Sequence, residues 1–241
     1  MGKLKNKIAV ITGSGRGIGR ATAELFAKEG CKVVAVSRTE KELKELEEKT
    51  KNYQGKIYPF KADITLKEEV DKIFDYVENK FKRLDILINN AGITYPGSIF
   101  DMDPDKFLYC LKLNIWSAFL CTQRAVRIMA KEGKGKIINV GSVCSHWAGY
   151  GSAGHYIASK YGLKGFTEAV MREMQDKGLN ISVGMVCPGI VDTTLTNPKG
   201  EIRENWLKPE TIAEAIFFAV TNPENVNVYD IIIFPNWQKV W

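Results

Sequence analysis

The sequence predicts an α/β protein: a Rossmann-like, doubly wound parallel sheet of about seven strands with helices on both faces. Three observations predict it. Short β-branched apolar runs alternate with longer amphipathic stretches along all 241 residues. The apolar runs are nearly continuous, which suits strands buried on both faces. A glycine-rich turn separates the first run from the first helical pattern, and alternation of this kind closes by right-handed crossovers.

In chain order, Lys7 to Thr12 reads as the first strand, and Lys32 to Ser37 as the second. Lys56 to Phe60, Asp85 to Ile88, Lys136 to Val140, Ile181 to Val186 and Val228 to Phe234 follow. Between them, Ile18 to Glu29 carries apolar residues at Ile18, Ala21, Leu25 and Phe26 and stops at Gly30. Thr39 to Lys51 mixes Glu and Lys at helical spacing, a solvated helix face. Leu66 to Phe81 is the third helix. Pro104 to Lys131 reads as one long helix, opened by Asp103 as cap and Pro104 in the first turn. Tyr156 to Lys177 stops at Gly178, and Pro209 to Thr221 ends before Asn222-Pro223. No linker or repeat interrupts the series, so residues 1–241 are expected to form one domain. The longest irregular stretches, Thr94–Asp101, Val143–His155 and Asp192–Lys208, each follow a strand. Ligands of open α/β sheets sit beyond the strands' carboxyl ends, so these are candidate substrate walls, with 193–208 as a short substrate loop.

Composition excludes several classes. Hydrophobic residues make up 45% and charged residues 26%, which is not the balance of a disordered chain. No apolar run approaches the ~20 residues of a membrane helix, and the N-terminus has no signal-peptide pattern. A cytoplasmic protein is the expectation. The net charge of +6 is scattered, so no nucleic-acid footprint is expected, although it favours an anionic ligand. The five cysteines, Cys31, Cys110, Cys121, Cys144 and Cys187, have no zinc or CxxC spacing and read as free, mostly buried thiols. His146 and His155 have no Cys or acid beside them in sequence, and no metal site is expected.

Three clusters carry chemistry. The first is Thr12-Gly13-Ser14-Gly15-Arg16-Gly17-Ile18-Gly19, spaced TGxxxGxG. Glycines there let backbone approach a pyrophosphate at a helix N-terminus; a tight structural turn is the plainer alternative. It is neither GxGxxG nor a Walker loop. The second, Asn89-Asn90-Ala91-Gly92, ends the fourth strand, offering side-chain amides and close backbone approach, or simply an Asx turn. The third is Tyr156-x-x-x-Lys160, with Ser142 upstream. Residues four apart share a helix face, and an ammonium beside a phenol favours phenolate. Such a Tyr exchanges a proton with an alcohol or carbonyl oxygen, and Ser142 can hydrogen-bond that oxygen. Two helix-surface residues would show the same spacing.

In this order the features resemble the short-chain dehydrogenase/reductase family, over essentially the whole chain from Lys5 to about Phe234. Asn114, in Lys112-Leu113-Asn114-Ile115, is similar to the family's helix asparagine. Pro188-Gly189, followed by Ile190 and Thr193, is similar to its cofactor turn. The resemblance implies an oxidoreductase of carbonyl reductase or alcohol dehydrogenase type, which moves a hydride between a nicotinamide dinucleotide and a carbonyl or alcohol. It implies Tyr156 as acid/base, Lys160 on the nicotinamide ribose, Ser142 on the substrate oxygen and Asn114 on a relay water. It places Asp63 and Ile64 at the adenine, Asn90, Ala91 and Gly92 beside the cofactor, and Thr193 at the carboxamide. It also implies a homo-oligomer, dimer or homotetramer.

Two features depart from the family pattern. The Ser142-to-Tyr156 interval is slightly long, so Ser145 competes with Ser142, which is preferred because it ends the strand. The tail from Val228 to Gln238 lacks the Asp-Gly-Gly usual in the ketoacyl-carrier-protein reductase branch. Cofactor choice rests on Val36-Ser37-Arg38-Thr39, where no acid ends the second strand. An acid there would bind the ribose 2′-OH of NAD. Arg38 and Arg16 instead suit a 2′-phosphate, so NADP(H) is expected, unless both are surface charges or Glu40 neutralises Arg38. The rival readings are a non-catalytic dinucleotide sensor on the same fold and an epimerase or dehydratase. The complete Asn114, Ser142, Tyr156, Lys160 set weighs against the first, and the short 193–208 loop against the second. Thr94, Tyr95, Ser145, Trp147, Tyr150, Leu195 and Trp206 are candidate substrate contacts, suited to a medium-sized, partly apolar carbonyl compound. Leu108, Leu111, Phe119, Leu120, Val126 and Met129, with Leu163, Phe166, Val170 and Met174, are more apolar than one sheet face needs. They and the tail's Trp237 and Trp241 are candidates for the subunit contact.

Overall fold

Seven strands pair in parallel in the order β3-β2-β1-β4-β5-β6-β7 in a computed structural model that describes residues 2–148 and 152–239. They are β1 (Ile8–Thr12), β2 (Lys32–Ser37), β3 (Lys56–Lys61), β4 (Ile86–Asn89), β5 (Lys134–Val140), β6 (Asn180–Pro188) and β7 (Asp230–Ile233). Each expected strand forms, with ends displaced at most by a few residues. The helices are α1 (Gly17–Lys28), α2 (Glu40–Thr50), α3 (Lys67–Phe81), α4 (Pro104–Leu111), α5 (Ser117–Glu132), α6 (Gly154–Asp176) and α7 (Pro209–Val220).

The strand periodicity divides the core. β1 sends Ala9 and Ile11 to one face, with Phe26, Leu43 and Ile216 of α1, α2 and α7. It sends Ile8 and Val10 to the other, with Phe74, Val77 and Met129 of α3 and α5. Burial of an apolar side chain of this size stabilises by about 1.5–3 kcal/mol, so both helical layers are held on one sheet. The chain leaves β1 toward β2 on one side and returns at β4 on the other. The crevice between β1 and β4 is therefore the topological switch point, where α/β sheets bind ligands.

The long helix expected over Pro104 to Lys131 is interrupted. Asp103 caps α4 by accepting from the Asp105 N–H at 2.9 Å, and Pro104 occupies the first turn, as the sequence predicts. Lys112–Trp116 then forms a π-helical turn before α5. Such turns insert an extra residue and often mark functional sites; this one carries Asn114.

The surplus apolar residues also divide. Leu120, Met129, Leu163 and Met174 belong to the core and are unavailable to a partner, correcting the sequence expectation. Leu108, Trp116 and Tyr161 are exposed, and Phe119, Val126, Phe166 and Val170 are half-buried.

Candidate active site

The glycine loop and the turn after β4 are tied across the switch point. Asn90 donates from Nδ2 to the Thr12 carbonyl at 2.9 Å, and its own N–H donates to Thr12 Oγ1 at 3.0 Å. Gly17 opens α1 at φ +56°, a left-handed conformation that favours glycine, with Thr193 against it. Gly19 allows α1 to close on the loop, because an added Cβ would lie 2.3 Å from the Gly13 carbonyl oxygen. Asn89 instead points into the protein, donating to Thr122 Oγ1 at 3.0 Å and Asn139 Oδ1 at 2.8 Å.

These turns begin an open cleft of about 390 Å³ that runs to Ser142, Tyr156 and Lys160. Gly13, Arg16, Gly17, Ile18, Ser37, Arg38, Asp63, Ile64, Asn90, Ala91, Gly92, Pro188, Gly189 and Thr193 line it, so most sequence-selected positions converge there. Ser14, Gly19 and Ile190 do not line it. The Ser14 hydroxyl is buried and donates to the Ile11 carbonyl at 2.6 Å, while the Ile190 N–H donates to Gln238 Oε1 at 2.8 Å. Their visible work is to shape the loops.

At the far end, Ser142 follows β5 and caps the short turn Val143–Ser145. Its Oγ accepts from the Cys144 N–H at 3.1 Å, and Ser145 Oγ accepts from the Ser142 N–H at 3.2 Å. Ser145 is fully buried and braces Ser142, which alone of the two lines the cleft. Ser142 and Tyr156 line the same end of the cleft, and Ser142 acts to lower the Tyr156 pKa. Lys160 is 4% exposed, donates to the Val140 carbonyl at 2.8 Å, and lies 5.6 Å from the Tyr156 ring centroid.

Burial dominates the electrostatics here. It pushes the Tyr156 phenol up from its ordinary value, against the smaller opposing effect of Ser142. It pulls the Lys160 ammonium down to about 8. The sequence predicts a phenol lowered by the neighbouring lysine; burial raises it instead. Tyr156 is thus held protonated at neutral pH.

Asn114 is buried and fully engaged. Its Oδ1 accepts from the Ile93 N–H at 2.8 Å, and Nδ2 donates to the Ile93 carbonyl and Ser159 Oγ, both at 2.9 Å. It clasps the turn after β4 to α6. The small Gly92 lies between it and Lys160: an added Cβ would stand 3.3 Å from Asn114 Oδ1 and 3.8 Å from Lys160 Nζ.

At the opposite end, exposed Arg38 donates to Tyr109 Oη at 2.6 Å. Glu40 pairs with Lys44 at 2.7 Å, so it does not neutralise Arg38. The structure nevertheless brings an acid to this end. Glu42, in the first turn of α2, lines the cleft and covers Gly15, where an added Cβ would lie 2.1 Å from its Oε2 and 2.8 Å from Ser37 Oγ. Nothing local in the sequence signals this; the turn back of α2 creates it.

Of the candidate substrate contacts, Thr94 and Leu195 line the cleft, and Trp147 packs against Val143 and Cys144. The Tyr95 N–H donates to His155 Nε2 at 3.2 Å, and Trp206 stacks under Arg203. Tyr150 and Trp241 lie outside the described residues. Trp237 donates to the Asn205 carbonyl at 2.8 Å, so the tail folds against the 193–208 loop.

His146, expected to stand without Cys or acid, has both in space. Its Nε2 lies 3.0 Å from Asp230 Oδ2, with Cys187 beside them. No helix among the described residues is long and apolar enough to cross a membrane.

Comparison with known proteins supplies the family. A model described as short chain dehydrogenase matches residues 7–204. The chain is 33% identical over 232 residues to an uncharacterized oxidoreductase of Staphylococcus aureus (strain USA300), covering 96% of this chain and 98% of the relative. It is 33% identical to a 3-oxoacyl-[acyl-carrier-protein] reductase of Thermotoga maritima, covering 91% and 92%. Among solved structures, an alcohol dehydrogenase from the archaeon Thermococcus sibiricus, complexed with 5-hydroxy-NADP, superposes with TM-score 0.90 at 24% identity, covering 98% and 99%. A short-chain type dehydrogenase/reductase from Mycobacterium marinum does so with TM-score 0.87 at 26% identity, covering 96% and 95%.

Proposed function

Because this chain belongs to the short-chain dehydrogenase family of oxidoreductases, we propose that it is an NADP(H)-dependent carbonyl reductase or alcohol dehydrogenase with Tyr156 as its acid/base. The observation that carries this reading is the meeting of Ser142, Tyr156 and Lys160 at one end of a cleft whose other end is the glycine loop. The fit to a dinucleotide rests on the cleft itself. The start of α1 opens into it beside glycines, which suits a pyrophosphate, and Arg16 and Arg38 flank its outer end.

When bound, the nicotinamide supplies or accepts the hydride. Tyr156 donates a proton from its hydroxyl to the carbonyl oxygen, and Ser142 Oγ holds that oxygen beside it. The Lys160 ammonium stabilises the resulting phenolate, and Asn114 fixes the loop and helix around it. Asp63, Ile64, Asn90 and Thr193 would hold the cofactor. Thr94, Trp147 and Leu195 would wall the substrate, with 193–208 as the loop over it. A medium-sized, partly apolar carbonyl compound suits these walls. The five free, buried thiols suit a reducing compartment, and we place the protein in the cytoplasm.

NADP(H) is favoured because Arg38 and Arg16 offer charge-assisted hydrogen bonds to a 2′-phosphate, each contributing about 1.5–3 kcal/mol. Arg38→Leu is expected to weaken NADPH binding roughly 10–100-fold and leave NADH nearly unchanged. Equal weakening of both in a fluorescence titration would contradict the assignment. Glu42 opposes the phosphate, so Glu42→Gln is expected to tighten NADPH without tightening NADH.

The exposed face of α4, the π-helical turn and α6, with Leu108, Trp116 and Tyr161, is the proposed contact in a homo-oligomer, dimer or tetramer with two-fold symmetry. Light scattering at micromolar concentration is expected to give a multiple of 27.0 kDa; a 27.0-kDa particle alone would contradict it.

A further inference from the structure

Among the described residues, three buried polar side-chain atoms lack a hydrogen-bond partner, and two of them, His146 Nε2 and Asp230 Oδ1, lie in one cluster. Native proteins rarely leave such atoms unmatched, and a bound ion is one means of satisfying them. Nε2 lies 3.0 Å from Asp230 Oδ2, but without the alignment of a hydrogen bond. Cys187 Sγ completes the group, and the three donor atoms fall within 4.8 Å of one another.

The donors come from three parts of the fold. His146 follows the turn that Ser142 caps, Cys187 lies near the end of β6, and Asp230 begins β7. None of the three lines the cleft. Imidazole, thiolate and carboxylate are the donor types zinc accepts, and three protein ligands leave a fourth, open position. We propose that His146, Cys187 and Asp230 form a binding site for a soft divalent cation of the Zn²⁺ type.

Charge supports the set. Burial pushes the Cys187 thiol up to about 12, so the metal must displace its proton, which leaves to solvent; the resulting thiolate and the Asp230 carboxylate then neutralise the dication and the occupied site is neutral. One feature resists it. Lys164 Nζ lies 3.2 Å from His146 Nδ1, and a metal on Nε2 requires the ring proton on Nδ1. Lys164 must turn away from that nitrogen, and Glu168, one turn further along α6, offers it an opposite charge. An occupied site would tie the Ser142 turn to the strand end that carries Pro188 and Gly189, stiffening the cleft wall without touching the reacting atoms.

The test is a Co²⁺ titration of the full chain after treatment with a chelator. One equivalent is expected to bind, with a thiolate-to-cobalt charge-transfer band and the visible bands of a tetrahedral site, both abolished by added Zn²⁺. Cys187→Ser should lose the thiolate band, and Cys187→Ser and Asp230→Asn should each weaken binding by at least the roughly 10–100-fold that loss of an outer-shell partner costs, whereas Lys164→Met should strengthen it. Absence of a thiolate band in the wild type, or Co²⁺ binding unchanged in Cys187→Ser, would overturn the site. If the Ser variant does not fold, His146→Gln carries the same test, and an unaltered cobalt spectrum there contradicts the proposal.

Discussion

Tyr156→Phe is expected to lower turnover by about 10²–10⁴-fold, the range general acid/base catalysis supplies. The substitution removes one hydroxyl and leaves the ring. That ring packs against Val143 and Cys144, a contact Phe keeps. Cofactor affinity and melting temperature should therefore stay close to wild type, while the hydroxyl that lines the cleft beside Ser142 is lost. Burial holds the wild-type phenol protonated, so reduction of a carbonyl, which consumes the Tyr156 proton, should persist to higher pH than an exposed phenol would allow. Near-normal turnover of the Phe variant in a steady-state assay would remove Tyr156 from its proposed role.

Lys160→Met should have an effect of comparable size, for a different reason. Among the described residues, the ammonium is the one cation that the fold buries beside Tyr156, and removing a preorganised charge donor of this type costs roughly 10²–10³-fold in rate. It also has a stability signature. Burial lowers the Lys160 pKa from 10.5 to about 8, so the folded chain disfavours the charged form. Between those values the unfolded chain binds more protons than the folded one, and stability rises with pH across that window. Below it the full cost of the buried charge, on the order of 3 kcal/mol, is present. The Met variant should lack that rise, which denaturant unfolding at a series of pH values reads directly. The same slope in both proteins would show that Lys160 is not titrating in a buried site.

Most of the fold was legible because parallel strands buried on both faces leave continuous apolar runs, and the helices between them end at Gly30, Gly178 and Asn222-Pro223. The π-helical turn at Asn114 was not. The apolar spacing of Pro104 to Lys131 runs through it, and the break is in the backbone, where the Ser117 N–H reaches back five residues to the Lys112 carbonyl. The candidate site was legible where its residues are spaced along one segment, as in the glycine loop and Tyr156 with Lys160. It was illegible where distant segments meet. Glu42 reaches Gly15 through the fold of α2, and His146 meets Cys187 and Asp230 across two strands. The direction of the Tyr156 shift was hidden for a related reason: spacing gives the neighbour but not the desolvation of both groups.

Hydride transfer with NADP(H) preference is read by following an isotope label. Purified protein is mixed with NADPH or NADH carrying deuterium at the transferring carbon, and with a panel of aldehydes, ketones, diketones and 3-oxoacyl thioesters. A product alcohol with deuterium on the former carbonyl carbon is expected, formed faster from NADPH than from NADH and lost in Tyr156→Phe. Binding of NADPH with no deuterium in any product, or equal transfer from both cofactors, would contradict it.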